Sequence, residues 1–242
     1  MKMNKTVLIT GASRGIGYCT AELFALNGWN MAVNYLHTPE PAISLSKQYG
    51  NVLPIKADVS KRHEVEAMTE QICREFGKID VLVNNAGIAQ QKLFTDITDD
   101  DWNQMFDINV KGVFHCCQAV LPGMIARKSG KIINISSVWG EKGASCEVHY
   151  SASKAALIGL TKALAKEEGL SGITVNCITP GVIDTDMNGH LNAETLSALQ
   201  EETPLGRIGT PQDVAHMIYF LASDAANFIT GQVIGVNGGF AE

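Results

Sequence analysis

Seven short runs of apolar, largely β-branched residues, at 6–10, 31–35, 52–57, 81–84, 131–135, 174–178 and 233–236, are separated by amphipathic stretches along the chain. This alternation constrains the fold more than any other feature. Strands joined by a long helical connection return to the same edge before pairing and so lie parallel, whereas antiparallel neighbours need only a short turn. A parallel strand covered on both faces reads as an unbroken apolar run, as these do. The expectation is an α/β fold: a doubly wound, seven-stranded parallel sheet with helices on both faces.

Helical patterns fall at about 15–27, 41–48, 61–76, 99–126, 150–169 and 211–221. Ser60, with Glu64 close behind, reads as the cap of the third, and Thr210-Pro211 starts the last with proline at its first position. The polar stretch 184–207 breaks the rhythm and ends in Thr203-Pro204-Leu205-Gly206. It reads as an excursion over the carboxyl edge of the sheet, the usual place of a lid. No repeat or linker interrupts the pattern, so residues 1–242 are expected to form one domain that joins nucleotide binding to catalysis.

A net charge of −6 with 18% charged residues leaves no electrostatic footprint for nucleic acid. The six cysteines, Cys19, Cys73, Cys116, Cys117, Cys146 and Cys177, lie scattered in apolar segments, and neither they nor the histidines have metal-ligand spacing. They read as buried thiols in a reducing compartment, with no metal site. Met1-Lys2-Met3-Asn4-Lys5 runs straight into the first strand without the apolar core of a signal peptide, and no stretch is long enough to span a membrane. A cytoplasmic protein with a small-molecule or protein partner is expected.

The first strand leads directly into Gly11-Ala12-Ser13-Arg14-Gly15-Ile16-Gly17 and a helix. Glycines there let the backbone approach a pyrophosphate, and the helix amino terminus offers free N–H groups and a positive dipole end. A glycine loop in this position predicts a Rossmann-type dinucleotide site. The acid that would hold the adenosine 2′-hydroxyl of NAD should lie about 20 residues further on. That region reads Asn34-Tyr35-Leu36-His37, while Arg14 could pair with a 2′-phosphate. Both features favour NADP(H).

Tyr150 and Lys154 are four residues apart within a helical pattern, with Ser137 upstream. Positions i and i+4 share a helix face, so phenol and ammonium are expected in one pocket, where the cation would lower the tyrosine pKa. A tyrosine so placed can exchange a proton with a substrate oxygen, which hydride transfer to a ketone also requires.

Together with Asp58-Val59, Asn84-Asn85-Ala86-Gly87, Asn109 and Pro180-Gly181, these residues stand in the order and spacing of a known family. The whole chain closely resembles the short-chain dehydrogenase/reductases of single-domain length. The resemblance implies Tyr150 as general acid, Ser137 as the group orienting the substrate carbonyl, Lys154 on the nicotinamide ribose, and Asn109 holding a water that passes protons toward Lys154. For the cofactor it implies Gly11, Ser13, Arg14, Gly15, Ile16 and Gly17 at the phosphates and Asp58 and Val59 at the adenine. Asn85, Ala86 and Gly87 would line the cofactor, Tyr150 and Lys154 would face it, and Pro180, Gly181, Val182, Ile183 and Thr185 would lie near the carboxamide. Asn84 to Gly87 equally fits a structural role, holding the central strand to its neighbour.

Within the family the pattern is most similar to the 3-oxoacyl thioester reductases of fatty-acid synthesis, which implies an acyl carrier protein as partner. Such reductases present basic residues beside the cleft; Arg127 and Lys128 are candidates, but Glu167-Glu168 stand where a second basic position is expected. The loop from Trp139 to Glu147, reading Trp139-Gly140-Glu141-Lys142-Gly143-Ala144-Ser145-Cys146-Glu147, instead resembles the elongation factor P 5-aminopentanone reductases. Trp139 would supply an apolar wall and Glu141 or Glu147 a charge for a cationic substrate, although either carboxylate alone fits an exposed position equally well. A catalytically idle nucleotide-binding subunit is the remaining class, and retention of all four catalytic positions argues against it. Apolar residues around more than one face of the helices carrying Phe114 and Leu157 imply, by resemblance, a homotetramer.

Overall fold

In a computed structural model, residues 4–189 and 192–240 are described. Seven strands, β1 (Thr6–Ile9), β2 (Asn30–Tyr35), β3 (Val52–Lys56), β4 (Val81–Asn84), β5 (Gly130–Ile135), β6 (Ile173–Pro180) and β7 (Val233–Val236), form one sheet in the order β3-β2-β1-β4-β5-β6-β7. All six pairings are parallel. The chain winds outward from β1 to β3, then crosses back so that β4 pairs with the other side of β1. This reversal opens a crevice at the carboxyl ends of the strands, where ligands of such sheets bind.

Both faces are covered. On one, α1 (Gly15–Leu26) packs beside α9 (Pro211–Ala222), and Phe24, fully buried, meets the edges of Trp29 and Tyr219 at 4.9 and 5.0 Å. On the other, α3 (Arg62–Phe76), α5 (Gly112–Arg127) and α7 (Val148–Glu168) bury Ile72, Val113, Met124 and Leu157 against Leu8, Leu82 and Ile132. The remaining helices are α2 (Glu40–Gln48), α4 (Asp99–Phe106), the single turn α6 (Trp139–Lys142) and α8 (Ala193–Glu201). Among the described residues no helix is long and apolar enough to cross a membrane.

Thr210 forms the expected cap, exchanging hydrogen bonds with Asp213 beside Pro211. Ser60 does not cap α3. Its backbone N–H and hydroxyl both donate to Asp58, while Glu64 accepts from the Asp58 N–H, so the polar pair orders the turn before the helix instead. The expected single helix at 99–126 is three pieces: α4, a π-helical turn at Asp107–Lys111, and α5. The widened turn carries Asn109, which is completely buried, and such widenings cluster at functional sites.

Candidate active site

The loop from β1 to α1 forms one wall of a groove of about 650 Å³. Gly11 and Gly15 have φ of +61° and +53°, a region side chains rarely adopt. A Cβ at Gly11 would lie 2.7 Å from the Ala86 Cα, so the loop and the β4 exit can approach only as glycine permits. Arg14 stands at the N-cap of α1 without a side-chain cap bond, which leaves first-turn N–H groups directed at the groove. Asn34 accepts from the Gly11 N–H at 3.1 Å and donates to the Ala57 carbonyl at 2.9 Å, pinning the loop to β2 and β3. Its amide is thereby engaged in structure. Residues 36–39 after β2 bring no carboxylate, and Arg14, His37 and Lys61 face the same cavity.

Asp58 and Val59 line the groove together with Ser13, as do Asn85, Ala86 and Gly87. Asn85 uses its side chain structurally, donating to the carbonyls of Thr10 and Gly11 at 3.0 Å each, while the Thr10 hydroxyl accepts from the N–H groups of Asn85 and Ala86. Asn84 donates to Asn134 at 2.8 Å, and Asn134 to Thr161 at 2.9 Å, tying β4 through β5 to α7. The shape and donors of this groove suit a dinucleotide: a glycine-lined close approach, a helix amino terminus, and the cations Arg14 and Lys61 in the same cavity.

The groove continues into a cleft of about 360 Å³, sharing Ile16, Asn85, Gly87, Thr185 and Met187 with it. Ser137, Tyr150 and Lys154 meet in this cleft. Tyr150 is buried, and burial raises its pKa to about 12, opposed by the Ser137 hydroxyl. The phenol therefore holds its proton throughout the neutral range. Lys154 is pushed down to about 8, also by burial; its Nζ donates to the Ile135 carbonyl at 2.8 Å and lies 5.7 Å from the Tyr150 ring centre. The expected lowering of the phenol by the ammonium is not found: desolvation dominates, and the group that opposes it is the Ser137 hydroxyl.

Asn109 accepts from the Ile88 N–H and donates to the Ile88 carbonyl, each at 2.9 Å, and also donates to the Ser153 hydroxyl at 3.0 Å. A Cβ at Gly87 would lie 3.2 Å from Asn109 Oδ1 and 3.4 Å from Lys154 Nζ, so these three residues crowd one point. Pro180 to Ile183 and Thr185 form the far wall, held where Pro180 accepts from the Val138 N–H and Gly181 donates to Val236. From the 184–207 excursion, Met187 and Asn188 reach the cleft; residues 190–191 lie outside the described residues.

Trp139 lines the cleft and meets Phe240 edge-on at 5.6 Å. Glu147 lines it too, whereas Glu141 is exposed and takes no part. Arg127 ends α5 and Lys128 follows it just before β5, at the amino-terminal edge of the sheet, so they do not flank the cleft of their own chain; Arg127 donates to the Ile79 carbonyl. Sequence reasoning missed Gln90 and Gln91, which line the cleft beside Glu147. Polar residues following a strand carry no periodicity that could have marked them.

The sequence profile of one protein family, described as enoyl-(acyl carrier protein) reductase, matches residues 11–241. A Staphylococcus aureus protein named 3-oxoacyl-(acyl-carrier-protein) reductase FabG is 44% identical over 99% of both chains. Its Chlamydia trachomatis namesake is 42% identical over 99% of this chain and 98% of its own. The chain belongs to the short-chain dehydrogenase/reductases. A solved short-chain dehydrogenase/reductase from Brucella melitensis, titled glucose/ribitol dehydrogenase, superposes with a TM-score of 0.92 at 36% identity, covering 98% of this chain and 96% of that one. As a member of the family, the protein is an oxidoreductase that works with a nicotinamide cofactor on a CH–OH/C=O pair.

Proposed function

We propose that the protein reduces the keto group of a 3-oxoacyl thioester with NADPH. The observation that carries this reading is the convergence of Ser137 and a protonated, buried Tyr150 in a cleft continuous with the dinucleotide groove. The full-length likeness to reductases named for 3-oxoacyl-carrier substrates supports the substrate class. The nicotinamide, when bound, supplies the hydride. Ser137 donates a hydrogen bond to the carbonyl oxygen and fixes the face presented, and Tyr150 gives its proton to the oxygen as negative charge develops there. Lys154 holds the ribose end of the cofactor, and Asn109 keeps the helix carrying Lys154 in register through Ser153.

Arg14, with His37 and Lys61 in the same cavity, supports NADPH over NADH. We take the whole chain as one catalytic unit, with the 184–207 excursion as its lid. An exposed Phe114 on α5 and Phe220 on α9 support a homotetramer, and thiols with no disulfide suit the cytoplasm. The test is oxidation of NADPH and of NADH by purified protein with acetoacetyl-coenzyme A, with Tyr150→Phe as the blank. Turnover with NADPH that vanishes in the variant supports the reading; absence of turnover with the thioester defeats it.

A second reading rests on one residue. Glu147 places a carboxylate in the cleft, hydrogen-bonded to Gln91 at 3.1 Å. That charge suits a ketone bearing an amine, as on a modified lysine of elongation factor P, better than an acyl thioester. Fast reduction of the modified protein with little thioester turnover would favour it.

A further inference from the structure

Residues 90–92, following β4, and residues 146–149, preceding the proposed acid, face each other in antiparallel order. The Lys92 N–H donates to the Cys146 carbonyl at 2.7 Å, Gln91 Nε2 to Glu147 Oε1 at 3.1 Å, and His149 Nε2 lies 2.8 Å from Gln90 Oε1. Behind them Asp101 accepts from Gln90 Nε2 at 2.9 Å and from Lys92 Nζ at 2.6 Å, while it forms a capping box with Thr98 at the start of α4.

The chemistry of this chain fixes a proton. Asp101, held well below the usual carboxylate range by Lys92, Gln90 and Thr98, can only accept. Gln90 must then turn its NH₂ to Asp101 and its carbonyl to His149, so His149 must donate from Nε2. That leaves Nδ1 as the bare nitrogen. It is buried, in a residue with no exposed surface, and has no hydrogen-bond partner among the described residues. Protonating it would bury an N–H with no acceptor, so the ring is held neutral in one tautomer. The charged groups acting on it are Asp101, Glu147 and Lys92.

We propose that Asp101, Gln90 and His149 form a positioning relay that sets the first turn of α7 and hence the place of the Tyr150 hydroxyl in the cleft. His149 is the residue before Tyr150, and Gln90 lines the cleft as well, so one hydrogen bond joins the substrate wall to the backbone carrying the acid. The relay rests on the reading of Tyr150 as the proton donor. His149 is a positioning residue, since it acts through Tyr150 rather than on the substrate.

Two measurements test this, one of them independent of turnover. In protein labelled with ¹⁵N-histidine, His149 should appear as the neutral Nε2–H tautomer and titrate below its ordinary range. An Nδ1–H tautomer, or titration at the ordinary value near 6.5, would overturn the relay even if the reductase reading stands. With acetoacetyl-coenzyme A, His149→Leu and Gln90→Ala should lower kcat by about 10- to 100-fold, with NADPH binding changed less than about twofold. His149→Gln, which keeps a donor, should recover most of that loss. Should His149→Leu fail to fold, Gln90→Ala and His149→Gln still decide. Unchanged kcat in Gln90→Ala, or no recovery in a folded His149→Gln, sinks the relay. A wild-type protein that reduces no carbonyl fails the functional reading alone and leaves the tautomer measurement intact.

Discussion

Asn109 donates to the Ser153 hydroxyl at 3.0 Å, one residue ahead of Lys154, and does so from a turn of helix wider than an α-turn. Ser153 in turn donates to the Tyr150 carbonyl at 2.7 Å, and Ser136 to the Lys154 carbonyl at 2.7 Å. The backbone on which both proposed catalytic side chains stand is therefore tied to the ends of β4 and β5. Asn109 also satisfies both backbone groups of Ile88, which no other residue of the widened turn does.

Asn109→Ala should accordingly cost stability as well as rate. The substitution leaves the N–H and carbonyl of the half-buried Ile88 without the completely buried amide that pairs with both, a loss of about 1–3 kcal/mol. Thermal unfolding would report it as a lower Tm, and turnover should fall even where the protein remains folded. A Tm equal to that of the wild type would show that water replaces the amide without cost.

The sheet was legible in the sequence because each strand is a continuous apolar run, and a period needs no knowledge of distant residues. Ser137, Tyr150 and Lys154 were legible as well, since their spacing places them on one helix and one strand end. The widened turn at Asn109 was not: the segment 99–126 keeps an unbroken helical pattern, and the extra residue is absorbed by contacts to Ile88 and Ser153. The Gln90–His149 pair was equally hidden, because its partners lie 59 residues apart and neither carries a local signal. Ser60 misled for a related reason, as its hydroxyl donates to the nearby Asp58 carboxylate and does not accept from the helix N–H groups it was expected to cap.

Lys154 gives a prediction with a definite sign. Burial lowers its pKa to about 8, while an unfolded lysine titrates near about 10.4. Between these values the unfolded chain binds more protons than the folded one, so the folded state gains stability as pH rises through that window. Below pH 8 the cost of burying the ammonium is present in full. Chemical denaturation at pH 7 and at pH 10 should therefore show wild-type protein improving relative to Lys154→Met, which lacks the titrating group. A constant difference across that range would mean that the ammonium is not desolvated in the native state.

Tyr150→Phe removes the proton donor but leaves the buried ring. Since general acid catalysis contributes typically 10²- to 10⁴-fold, kcat should fall by about that factor while NADPH binding, followed by fluorescence titration, stays nearly unchanged. Because burial sets the phenol at about 12, the falling limb of reduction on the alkaline side should follow Lys154 near 8 and not the tyrosine. A limb that moved in Lys154→Arg and persisted near pH 8 in no variant lacking the lysine would support that order.

Arg14 should decide between the two nicotinamide cofactors. Its side chain faces the groove at the start of α1, close in sequence to Ser13 and Gly15, and the segment after β2 offers no carboxylate to a free ribose. A hydrogen bond between charged groups contributes about 1.5–3 kcal/mol, so Arg14→Ala should raise the KM for NADPH by about 10- to 100-fold and change that for NADH little. Equal losses with both cofactors would assign Arg14 to the shared pyrophosphate instead.

Glu147 separates the two substrate readings. It lines the cleft within reach of Gln91 while Glu141 on the same loop faces solvent, so a charge effect at the substrate must come from Glu147. Glu147→Gln keeps the shape and the acceptor but removes the charge. If the substrate is a neutral acyl thioester, kcat/KM for acetoacetyl-coenzyme A should stay within a few-fold or rise, since a carboxylate near the anionic coenzyme A repels it. If the substrate carries an ammonium, kcat/KM for the amine-bearing ketone should fall by about 10-fold or more, the worth of one close ion pair out of bulk water. Measuring both substrates on the same pair of proteins distinguishes a lost charge contact from a damaged cleft, because damage lowers both and a lost contact lowers only one.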